Sequence, residues 1–89
     1  MQIAVYDTHV RRPDGRLMHF DILVPTATAA QGIEAILTHG RLYLAAKGVP
    51  ADTLDAQVCR YCHGELATPE VAAEITATGF AIIELAHCD

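Results

Sequence analysis

No stretch of this chain approaches 18 uninterrupted apolar residues, and the opening Met1-Gln2-Ile3-Ala4-Val5-Tyr6-Asp7 has no basic leader ahead of an apolar run. A membrane-spanning helix and an export signal are therefore not expected, and the chain reads as a soluble cytoplasmic protein with no membrane partner. A Gly-rich phosphate loop is missing. Asp7 and His9 flank Thr8 but on a strand point to the face opposite its hydroxyl, and Thr68 has no such neighbours, so nucleotide-binding and hydrolase readings lack support. Positive charge is scarce: six Lys plus Arg against eleven Asp plus Glu give a net charge of -5. Such a surface repels phosphate backbones, which argues against a nucleic-acid partner. The small basic group Arg11, Arg12 and Arg16 is explained by a solvated turn. Linkers, low-complexity tracts and internal repeats are absent, so residues 1–89 form one domain.

Apolar residues make up 52% of the chain and charged residues 19%, below the roughly 25% of an average globular domain. A domain of this size buries only about 60 to 65% of its unfolded-state surface. An apolar patch and a homodimer, joined by helix faces or a sheet edge, are the expected outlet for the excess.

Ile3-Ala4-Val5-Tyr6 and Leu17 to Val24 have the composition of strands. Between them, Pro13 presets the dihedral of a type I corner, Asp14 suits the second position and Gly15 accepts a left-handed conformation. The result is a three-residue hairpin whose register follows from Arg12 facing Arg16. Tyr6 then faces Ile22, Thr8 faces Phe20 and Val10 faces Met18 on an apolar side. On the other side His9 faces His19 and Asp7 faces Asp21. Two His and two Asp would so gather near the turn. That cluster suits a metal or acid/base site, or simply a polar sheet face in water.

Residues 27–47 read as the main helix, with Ile33, Ile36, Leu37, Gly40 and Leu44 in one stripe and Gly48 and Pro50 beyond its end. Gly40 within the stripe points to a close backbone approach. Thr68-Pro69-Glu70 starts a second helix that Gly79 ends, followed by the strand Phe80 to Leu85. With a strand near Cys59, the element order is ββαβαβ. This predicts an α+β fold: a four-stranded mixed sheet starting with an antiparallel hairpin, two helices packed on one face.

Cys59-Arg60-Tyr61-Cys62-His63 is the stretch that looks most like chemistry. It spells the attachment signature of c-type haem, but that chemistry belongs to an oxidising compartment, so haem is not expected. A thioredoxin-like redox pair needs a helix N-terminus at the first thiol, whereas the helix start at Thr68 comes six residues after Cys62. Zinc would use Cys59, Cys62, His63 and Cys88, with His87 or His19 as further donors. A second Cys-x-x-Cys or a His-x-x-x-His is missing. If residues 58–62 are a regular strand, Cys59 and Cys62 point to opposite faces and merely pack. Two functional readings stay open: a non-catalytic interaction or regulatory domain, with or without a Cys/His structural metal site, and a small thiol-redox or Cys/His-dependent enzyme.

Val5-Tyr6-Asp7-Thr8, Asp14-Gly15, Met18-His19-Phe20-Asp21, Cys59-x-Tyr61-Cys62-His63 and Gly79-Phe80-x-Ile82 with Cys88 together resemble a family of small bacterial proteins, the domain of unknown function numbered twenty-twenty-four. The likeness covers nearly the whole chain. Family members often carry a second aromatic after the one at Phe80, where this chain has Ala81. The resemblance implies a small α+β cytoplasmic protein and assigns no activity.

Overall fold

The turn at Pro13-Asp14-Gly15 sets the geometry from which the sheet grows. In the computed structural model, which describes residues 1–89, the amide of Gly15 donates to the Arg12 carbonyl at 2.9 Å and the amide of Arg12 donates to the Arg16 carbonyl at 2.8 Å. Gly15 takes a φ of 92°, and Asp14 Oδ1 accepts from the Arg16 amide at 3.0 Å. Strands β1 (Gln2–Arg11) and β2 (Leu17–Pro25) leave this corner in the expected register, with Tyr6 opposite Ile22, Asp7 opposite Asp21 and His9 opposite His19.

The chain continues through α1 (Thr26–Ala29), α2 (Ile33–Lys47), β3 (Cys59–Leu66), α3 (Pro69–Thr78) and β4 (Ala81–Ala86). The expected helix over 27–47 is thus two helices. Gly32, at φ 105°, breaks it in a conformation that other residues rarely adopt. Gly48 closes α2 left-handed, and the Val49 amide returns to the Leu44 carbonyl at 2.9 Å. Thr68 caps α3 by accepting from the Val71 amide at 3.2 Å.

The sheet order is β3-β1-β2-β4, and every neighbouring pair is antiparallel. This corrects the expected mixed sheet. Strands β2 and β3 do run in the same direction, but β1 lies between them, so no parallel pair forms.

The helices also divide between the two faces instead of sharing one. Helix α2 lays Ile36, Leu37, Gly40 and Leu44 on the face made by Ala4, Tyr6, Val10, Met18, Phe20, Ile22 and Val24. A methyl on Gly40 would meet Leu54 Cδ2 at 2.9 Å and Ile22 Cδ1 at 3.1 Å, which is the close approach the stripe requires. Helix α3 lies on the other face, where Val71 and Ile75 cover Ile3, Val5, Leu23 and Ala81. The reason is strand alternation: Ile3, Val5 and Leu23 point away from α2, and burying each such side chain is worth about 1.5 to 3 kcal/mol. Helix α3 reaches only one end of that face. Toward the hairpin turn the face stays open.

Helix α2 is tied to the far edge by polar contacts. Tyr43 donates to Glu84 Oε2 at 2.6 Å, and Lys47 Nζ approaches the same oxygen at 2.6 Å. The His39 ring stacks on Phe80 at 4.5 Å between centroids, and its Nδ1 is buried without a hydrogen-bond partner.

Burial holds the His39 imidazole below its ordinary value of 6.5, so the native state favours the neutral ring. The unfolded chain then takes up a proton first, and stability contributed by His39 is complete above about pH 6.5 and falls as the pH drops through the folded-state value. Denaturant unfolding from pH 7 to 5 is expected to show a steeper loss in the wild type than in His39→Phe. Equal slopes would rule the account out.

Candidate functional site

Strand alternation places Asp7 and His9 of β1 and His19 and Asp21 of β2 on the face that α3 leaves open. All four are half-buried. His19 Nε2 lies 2.5 Å from Asp7 Oδ1, and His9 Nδ1 lies 3.8 Å from Asp7 Oδ2. The two imidazoles stack with centroids 4.1 Å apart and planes 11° from parallel. One donor atom from each of Asp7, His9 and His19 falls within 4.8 Å of the others.

The two carboxylates have diverging environments. The hydrogen bond from His19 holds Asp7 below the usual carboxylate range, with the nearby imidazoles adding to the effect against partial burial. Burial pushes Asp21 up, and the charge of Asp7 opposite pushes it further. Neither carboxylate is ion-paired with a Lys or Arg.

The other predicted site residues do not gather. Cys59, at the start of β3, is buried on the α2 face, where the Thr8 hydroxyl donates to its Sγ at 3.4 Å. Burial raises the Cys59 thiol above its ordinary value. Cys62 is exposed, at the point where the β1–β3 register shifts between Val5 and Tyr6. Its Sγ lies 3.2 Å from His63 Nδ1, and His63 Nε2 lies 2.6 Å from Glu65 Oε1. Cys88 is buried elsewhere, donating to the His19 carbonyl at 3.3 Å. Cys59, Cys62, His63 and Cys88 are therefore dispersed over a buried strand end, an exposed strand middle and the segment after β4. All three thiols are free.

With this geometry in place, comparison with known proteins is informative. A model of the domain of unknown function DUF2024 matches residues 1–85. The chain belongs to the DUF2024 family. The NMR structure of protein NE1680 from Nitrosomonas europaea is similar to it at 32% identity, with a TM-score of 0.84 over 100% of both chains. A search of curated proteins finds no match. An α+β architecture is thus common ground, and no activity comes with it. No helix of this DUF2024 domain is long and apolar enough to cross a membrane.

Two neighbours of the cluster escaped sequence reasoning. Arg60 stands opposite Asp7 on β3, and the positive form of His63 would favour ionised Asp21. Both depend on β3 joining the free side of β1, a pairing that no turn motif announces.

Because the folded-state value of Asp21 lies above the unfolded one, its ionisation destabilises the native DUF2024 domain as the pH rises through that value. Asp21→Asn keeps a donor for Asp7 and removes the repulsion. It is expected to add up to about 1 kcal/mol at pH 7 and to lose that advantage near pH 3, where the wild-type carboxyl is protonated. Paired urea titrations at the two pH values would check this; an Asn variant less stable at pH 7 would refute it.

Proposed function

We propose that this DUF2024 domain is a non-catalytic binding module, an interaction or regulatory domain of the cytoplasm, working as a homodimer joined along the outer edge of β3. The observation that carries this reading is the state of that strand. β3 pairs with β1 on one side only, and every residue after Cys59 is exposed, including Tyr61 at 61% and Leu66 at 72%. Long open edges present unpaired backbone donors and acceptors and are ordinarily blunted by Lys or Pro. β3 has neither.

The charges on β3 favour a second copy as the occupant. Arg60 lies near one end of the strand and Glu65 near the other. A two-fold antiparallel pairing about the strand middle brings each Arg60 beside the Glu65 of the other copy.

Light scattering at micromolar concentration is expected to give about twice the 9.6 kDa chain mass. Arg60→Glu should shift the protein toward monomer, and the double swap Arg60→Glu with Glu65→Arg should restore the dimer. A wild type that stays monomeric, or a dimer indifferent to both variants, would overturn the reading.

One observation favours the enzymatic alternative. Cys62, His63 and Glu65 stand in the order of nucleophile, base and orienting carboxylate, at 3.2 and 2.6 Å. A thiol so placed is expected to alkylate with iodoacetamide faster in the wild type than in His63→Gln, as read by mass spectrometry at Cys62. Equal rates would remove this alternative.

A further inference from the structure

The pairing of Asp7 with Asp21 sets two carboxylates directly opposite each other, with the His19 and His9 imidazoles beside Asp7. Like charges directly opposite on neighbouring strands are destabilising, and the expected remedies are a cation or a shared proton. Arg60 stands across from Asp7 on the other side but forms no ion pair with it, and Lys is absent from this face. What the face does provide is two imidazoles beside one of the carboxylates.

The donor set is that of a transition-metal site. Imidazole nitrogen and carboxylate oxygen bind first-row divalent ions at about 2.0 to 2.2 Å, which separates neighbouring ligand atoms by about 3 to 3.5 Å. The Asp7–His19 and Asp7–His9 separations, 2.5 and 3.8 Å, lie on either side of that window. The side chains are 31 to 42% exposed and so have room to rotate, and binding one ion requires the two imidazoles to leave their stacked arrangement, since a bound ion lies in the plane of each ring. Their strand positions are held by the hairpin and by the β3 and β4 pairings on either side. An ion here would also neutralise the carboxylate pair. Calcium and magnesium demand mainly oxygen ligands, so two imidazoles select against them.

We propose that Asp7, His9 and His19 form a binding site for one divalent first-row transition-metal ion, with Asp21 supporting it from the neighbouring position and water filling the remaining coordination. The site replaces the Cys59, Cys62, His63 and Cys88 grouping as the metal centre of this chain. It lies within one protomer and does not depend on association through β3.

The test uses the full chain without a polyhistidine tag, titrated with Co²⁺ and followed by its visible absorption, with Zn²⁺ as competitor. One Co²⁺ per chain is expected, displaced by Zn²⁺, with His9→Gln, His19→Gln and Asp7→Asn each weakening binding at least about tenfold. Cys62→Ser and Glu65→Arg should leave it unchanged, the latter, four positions along the sheet from Asp7 and set against Arg60 of the other copy, separating the metal site from self-association. His9→Gln alters the more exposed imidazole and carries the test should His19→Gln fail to fold. Absence of saturable Co²⁺ binding, indifference to the His9 and Asp7 variants, or a sulfur-to-cobalt charge-transfer band would overturn the proposal, the last by assigning the ion to cysteine.

Discussion

Everything distinctive about this molecule rests on the register of the β1–β2 hairpin. The Arg12-to-Arg16 corner holds Asp7 opposite Asp21 and His9 opposite His19, while Thr8, Val10, Met18 and Phe20 turn to the other side. Side chains alternate with a period of two, so a slip of one residue would send the aspartates and histidines into the core and the aliphatic residues into water. That mismatch makes the register nearly unique. The core beneath α2 and the polar cluster on the open face are two consequences of one alignment.

The open face exists because the two main helices differ in reach. Helix α2 has 15 residues and buries a full stripe along the sheet, whereas α3 has 10 and buries only Val71 and Ile75. Ile3, Val5 and Leu23 are covered, and beyond them the face needs no cover because its residues are polar. Shortness in α3 is thus matched by the switch in β1 from Ile3 and Val5 to Asp7 and His9. The same economy leaves β3 and β4, at the two sheet edges, exposed over most of their length.

The cysteines show how spacing can mislead. Cys59-x-x-Cys62-His63 has the look of a ligand or redox motif, yet one thiol is packed against Thr8 and the other sits exposed beside an imidazole. A Cys-x-x-Cys pair converges when it occupies a turn or a helix end. On a strand the two positions face apart, and the register shift beside Cys62 changes where that residue lies without bringing Cys59 to it. Cys88 belongs to a third setting, under the His19 carbonyl.

Local chemistry was enough to determine the hairpin and its pairing, the α3 start at Thr68-Pro69, the close contact at Gly40, the DUF2024 likeness and the gathering of Asp7, His9, His19 and Asp21. The hairpin, its polar cluster and the α3 start depend on dihedral preferences and on the register that the turn imposes, while Gly40 betrays itself by its place in an apolar stripe. Gly32 as a helix breaker was present in the same sequence but was masked by the alanine-rich run around it. Only the tertiary structure decided that β3 joins β1 and β4 joins β2, that the sheet is antiparallel throughout, and that α2 and α3 take opposite faces. Those choices are made between segments far apart in the chain, where the free energy comes from burying Ile3, Val5 and Leu23 under Val71 and Ile75, a match that neither segment reveals alone.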